Sequence, residues 1–149
     1  MKFSEIQLND VYEAGPESVS EQDIIAFADR YDPQWFHTDP ARAQTGPYGG
    51  LIASGWQTCG LAMRLAVDAV LTGSDSVGSP GVDALQWQAP VRPGDQLSLR
   101  MTVIEKRVSR SRATRGVLRW RWQLRNQDGV QVLSLDATSL FDLAPEGDG

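Results

Sequence analysis

His37 is the only histidine in the chain, and Asp32 stands five residues before it in Tyr31-Asp32-Pro33-Gln34-Trp35-Phe36-His37-Thr38-Asp39-Pro40. Imidazole is the one side chain whose ordinary titration falls near neutral pH, so acid–base chemistry has a single candidate base. Pro33 and Pro40 stiffen the segment, and Trp35 and Phe36 give it apolar walls. Such walls raise the pKa of a carboxyl group, whereas a neighbouring imidazolium lowers it. Together the two groups would hold one water and both take and give a proton. The same spacing also fits a structural pair in which Asp32 ends a helix and His37 bonds to it.

Gly49-Gly50 stands directly before a long apolar segment, Leu51 to Leu71, whose only charges are Arg64 and Asp68. Glycine admits a ligand close to the backbone, and the unpaired amides of a helix N-terminus attract developing negative charge. An oxyanion such as a thioester enolate would be stabilised there. A plain glycine-rich turn into a helix reads the same way. Ser54 and Thr58 lie four apart and share a helix face, although hydroxyls so placed often bond back to the carbonyl four residues earlier.

Other chemistries find little support. Cys59 is the single cysteine, so no intramolecular disulfide forms and no cysteine cluster exists for zinc. One histidine with scattered acids is too poor a ligand set for a metal. The net charge of −5 argues against general nucleic-acid binding. No apolar run suits a signal peptide or a membrane span, and the default expectation is a cytoplasmic protein.

The elements that must position these residues read as helices first and strands second, within one domain of 149 residues. Ser20-Glu21-Gln22-Asp23 resembles a capping box, and Ile24, Ile25, Phe27 and Ala28 give the helix that follows an apolar face. Pro33 disfavours helical geometry at Asp32, so the acid falls at a helix end. Asp39 caps a short turn at Pro40-Ala41-Arg42-Ala43. Leu51 to Leu71 reads as a central helix buried nearly all round, with small residues that admit a sheet. After a loop from Thr72 to Pro80, the pattern turns to period two. The alternating positions are Leu85-Trp87-Ala89, Leu97 to Val103, Leu118 to Leu124 and, past a turn at Asn126-Gln127-Asp128-Gly129, Val130 to Phe141. With one short strand near the N-terminus, this is an α+β fold whose antiparallel sheet wraps a helix. Its edges invite pairing between copies, so a homodimer or a dimer-based higher oligomer is expected. The end of the chain, from residue 141 through Glu146-Gly147-Asp148-Gly149, is expected to fray.

Three segments, Asp32 through Pro40, Gly49-Gly50-Leu51-Ile52-Ala53-Ser54, and Ala89-Pro90-Val91-Arg92-Pro93-Gly94-Asp95, resemble the MaoC-like dehydratase family, which includes the R-specific enoyl-CoA hydratases. The resemblance runs from about Phe3 to Phe141. It implies a hot-dog fold and a reaction in which Asp32 and His37 activate water against a 2-enoyl thioester. It further implies that the amide of Gly50 polarises the thioester carbonyl and that Gln34, Ser54 and Thr58 contact substrate. Coenzyme A or an acyl carrier protein would carry the acyl group, and no separate cofactor is implied. Gln34 and Trp35 stand where the family usually has Asn and Pro, and Gly49-Gly50 where it has His-Gly. These departures leave the pair intact and bear on the substrate.

Eight of the fourteen basic residues fall between Lys106 and Arg125. Within that stretch, Arg110 and Arg112 would suit the phosphates of coenzyme A, or else a solvated hairpin turn. Two other functions compete. A hot-dog thioesterase generally needs an acid on the central helix, where only Asp68 is offered, late in the segment. A non-catalytic acyl-thioester binder would need neither Asp32 nor His37.

Overall fold

A computed structural model describes residues 1–143. The main elements are β1 (Val11–Ser18), α1 (Glu21–Tyr31), α2 (Trp35–Thr38), α3 (Pro40–Gln44), α4 (Gly55–Ala66), β2 (Ser76–Gln86), β3 (Gln96–Val108), β4 (Arg115–Arg125) and β5 (Gln131–Asp142). Among the described residues, no helix is long and apolar enough to cross a membrane.

Local sequence accounts for the short helices. The Ser20 hydroxyl accepts the Asp23 amide at 3.0 Å and starts α1. The Asp39 carboxylate accepts the Arg42 amide at 3.1 Å and starts α3, with Pro40 in the first turn. α4 is shorter than the apolar segment suggests. Residues 51–54 are extended, because their amides are committed elsewhere: Ile52 N–H donates to Phe36 and Ala53 N–H to Val91. At its far end α4 passes into a π-helical turn, Val67–Leu71.

The five strands form one antiparallel sheet in the order β1-β3-β4-β5-β2. Leu97, Leu99, Met101 and Val103 of β3 point inward beside Leu118, Trp120, Trp122 and Leu124 of β4, all buried. They join Ala62, Leu65 and Ala66 of α4 in a single core. The alanines let the helix lie close to the sheet, which is the expected helix-in-sheet α+β arrangement.

Three expectations need correction. β1 is a full strand of eight residues that pairs with β3, not a short fragment. β2 begins at Ser76, inside the segment read as a loop, and it ends before Trp87 and Ala89. Its pairing with β5 shifts register three times, and Gly78 and Gly81 take positive φ, which erases the period-two signal. Finally, β5 continues through Asp142, and Phe141 is fully buried against Phe3 rather than frayed. Glu146-Gly147-Asp148-Gly149 lies outside the described residues.

Leu124 is fully covered, with Leu99 across from it on β3 and Leu133 on β5. Leu124→Ala is expected to remove about 2–5 kcal/mol of stability, read as a lower midpoint in guanidinium unfolding.

Candidate active site

Pro33 ends α1, and Asp32 at its C-cap leaves helical geometry (φ −153°, ψ 65°) while its amide still bonds to the Ala28 carbonyl at 2.8 Å. The single turn of α2 then turns His37 inward, where it is 5% exposed. His37 Nδ1 lies 2.7 Å from the Ile52 carbonyl oxygen. A carbonyl only accepts, so Nδ1 carries hydrogen and Nε2 is the nitrogen left for chemistry. Nε2 faces Asp32 Oδ2 at 3.2 Å.

Asp32 is gripped from three sides. Ser54 Oγ donates to Oδ2 at 2.8 Å, and Gln34 Nε2 donates to Oδ1 at 2.6 Å. Burial pushes the Asp32 carboxyl up, but the bonds from Gln34 and Ser54 and the charge and hydrogen bond of His37 together outweigh it. The net result is a pKa below the ordinary carboxylate value. With a depressed folded-state pKa, the stability Asp32 contributes is present above the ordinary carboxylate range and is lost as pH falls through the lower folded value.

The pair opens on a cleft of about 450 Å³ whose walls include Phe36, Tyr48, Ile52, Trp87, Pro90 and Val91. Gly55 and Trp56, the first residues of α4, line it as well. The first bond into the helix runs from Thr58 N–H to the Ser54 carbonyl at 3.1 Å, so the amides of Gly55 and Trp56 have no helical partner. Trp87 locks this helix start, since its Nε1 donates to the Gly55 carbonyl at 2.9 Å. A β-carbon at Gly55 would come within 2.6 Å of that indole nitrogen, so the close approach requires glycine.

The residues expected at the site divide accordingly. Asp32, His37, Ser54 and Gln34 are brought together, with Gln34 and Ser54 holding the acid. Thr58 lines the cleft, and its hydroxyl bonds back to the Ser54 carbonyl at 3.3 Å. Gly50 is not among the residues that line the cleft and does not open the helix; it stands five residues before Gly55, which does both. Arg110 and Arg112 are not among the residues that line the cleft. β3 leaves the site end at Gln96 and covers about 40 Å before the β3–β4 turn that carries them. Asp68 lies beyond α4, exposed and paired with Arg64 at 3.0 Å, away from the cleft. Gly55 and Trp87 carry no local sequence signal of a role here. Gly55 is one small residue in an apolar run and Trp87 one alternating apolar position, and nothing in the pattern joins them across 32 residues.

The chain matches the family described as MaoC like domain across residues 5–119. The chain belongs to the MaoC-like family. A MaoC-like dehydratase from Rhodospirillum rubrum superposes with a TM-score of 0.88 at 33% identity, covering 95% of this chain and 97% of that one. The R-hydratase PhaJ1 from Pseudomonas aeruginosa superposes with a TM-score of 0.77 at 25% identity, over 95% of this chain and 86% of that one. The fold is therefore the hot-dog fold expected from the resemblance. In sequence, the protein YdeM of Bacillus subtilis (strain 168), whose name assigns no activity, is 31% identical over 95% of this chain and 99% of its own length. The 3-hydroxyacyl-thioester dehydratase Z of Mycobacterium tuberculosis (strain ATCC 25618 / H37Rv) is 33% identical over 82 residues, about half of each chain. A MaoC-like protein with these neighbours falls in a hydratase/dehydratase family.

Ser54→Ala removes one of the bonds that hold Asp32 ionised. The Asp32 carboxyl is expected to titrate at a higher pH in the variant, measured from its side-chain carbon resonance.

Proposed function

We propose that this MaoC-like protein is a hydro-lyase that adds water to, or removes it from, a 2-enoyl/3-hydroxyacyl thioester. The observation that carries the reading is a histidine–carboxylate pair, His37 Nε2 to Asp32 Oδ2 at 3.2 Å, with the other imidazole nitrogen fixed by the Ile52 carbonyl, at the wall of a cleft that also receives the N-terminus of α4.

The chemistry follows from that arrangement. Asp32 and His37 hold a water and take its proton as the oxygen bonds to Cβ of the enoyl group. Electron density moves onto the thioester oxygen, where the Gly55 and Trp56 amides and the positive end of α4 stabilise it. A proton returns to Cα from the same pair, so the protein ends as it began. Dehydration is the reverse. A second cleft of about 350 Å³, lined by Cys59, Met63, Val82, Leu85 and Leu135, shares Trp56 with the first and suits the acyl tail.

The protein is further proposed to act as a homodimer through the β2 side of the sheet. The β1 edge carries Glu13, Pro16 and Glu17, which discourage pairing. On the β2 side, Val77, Val82, Met63, Trp56 and Trp87 are 44% to 62% exposed, a large apolar surface for a free copy. Size-exclusion chromatography with light scattering is expected to give twice the chain mass, and a monomer would remove the dimer from the proposal.

The decisive assay follows the enoyl-thioester absorbance with crotonyl-CoA, together with branched and dicarboxylic enoyl-CoAs. The wild-type protein is expected to bleach the band, and Asp32→Asn and His37→Ala each to slow it by roughly 10²–10⁴-fold. Release of free thiol without hydration would replace this reading with thioester hydrolysis. Tight binding without turnover would make the protein an acyl-thioester carrier or sensor.

A further inference from the structure

We infer that Arg92 is an anion clamp on the rim of the catalytic cleft that binds a phosphate of the thioester's handle. This rests on the thioester reading above and adds the group that recognises the handle.

Arg92 follows Val91, whose side chain lines the cleft and whose carbonyl accepts the Ala53 amide at 2.8 Å. The Arg92 side chain turns to the opposite wall, where its guanidinium donates to the carbonyl of Tyr48, itself a cleft residue. Its backbone amide is held by the Asp95 carboxylate at 2.9 Å, so the residue is anchored at both ends. Gly50 makes room for it: a β-carbon there would lie 3.3 Å from a guanidinium nitrogen. One N–H is committed to Tyr48, and the remaining donors have no carboxylate partner among the described residues.

The chain has 19 acids against 14 basic residues, so an arginine anchored beside the opening and kept off every described carboxylate is a local reversal of the overall charge. A planar guanidinium with free donors matches a phosphate better than it matches any uncharged group.

The location fits a handle rather than the reacting centre. A phosphate is separated from the thioester sulfur by the length of a pantetheine arm, so the cation that reads it belongs outside the cleft. Both coenzyme A and a carrier-protein thioester present this chemistry, since each has a phosphate at the end of that arm.

The test compares wild type and Arg92→Ala on three crotonyl thioesters: crotonyl-CoA, crotonyl-phosphopantetheine and unphosphorylated crotonyl-pantetheine. Arg92→Ala is expected to raise KM for crotonyl-CoA roughly tenfold or more, with kcat within about twofold, and to leave crotonyl-pantetheine unchanged. Arg92→Lys should restore only part of the loss. A KM rise that includes crotonyl-phosphopantetheine assigns the clamp to the phosphate shared with carrier proteins, and one confined to crotonyl-CoA assigns it to the nucleotide phosphates. An equal loss on all three thioesters would overturn the inference, because it would mean that Arg92 only props the Tyr48 loop. No change on any of them would overturn it as well. If the wild-type protein turned over none of these thioesters, the hydratase reading would fail on its own. The clamp would then be judged by tryptophan fluorescence titration with coenzyme A, where equal affinity in wild type and Arg92→Ala would reject it.

Discussion

The bond from His37 Nδ1 to the Ile52 carbonyl is the constraint on which the candidate site depends. It decides which imidazole nitrogen faces Asp32, and it ties the α1–α2 corner to the extended segment that leads into α4. That segment is in turn clamped between Phe36 and Val91 through its two amides. Position and tautomer of the histidine therefore share one origin, a short run of backbone that is free to be extended because it is not helix. Had α4 begun at Leu51, the Ile52 carbonyl would have been spent within the helix.

The sheet supplies rigidity without supplying chemistry. Its inward rows on β3, β4 and β5 form the bulk of the core, and the chemistry-bearing residues lie between 32 and 58, before β2 begins. What the sheet gives the site is a set of anchors at one end of its strands: Trp87 beyond β2, and Val91 and Asp95 before β3. The acid is treated differently from the histidine. Gln34 and Ser54 donate to it and His37 Nε2 faces it, so its charge is held in place even though it is partly buried.

Much of this is legible in the residues alone. The helix caps at Ser20 and Asp39 and the inward rows of β3, β4 and β5 are local or periodic signals, and the fold honours them. Asp32 and His37 are legible too, because a lone histidine five residues from an acid across a proline leaves few alternatives. The start of α4 is not. Apolar content reports burial, and Leu51 to Ser54 are buried as extended chain, so composition alone places the helix four residues early, at Leu51 rather than Gly55. Phosphate-binding arginines are suggested where basic residues are dense, at Arg110 and Arg112. Density along the chain says nothing about which end of a strand a turn occupies. Arg92, isolated between Val91 and Pro93, gives no such signal.

The contact between Trp87 and Gly55 carries a consequence for how the protein comes into being. The N-terminal end of α4 is completed by an indole that follows β2, and β2 pairs only with β5, the last strand to be made. During synthesis, the segment bearing Asp32 and His37 emerges long before the strand that anchors Trp87 has a partner to pair with. A nascent or truncated chain lacking β5 thus contains Asp32 and His37 and yet has no partner for the strand that leads to Trp87, so the contact that completes the start of α4 arrives only with the closing of the sheet.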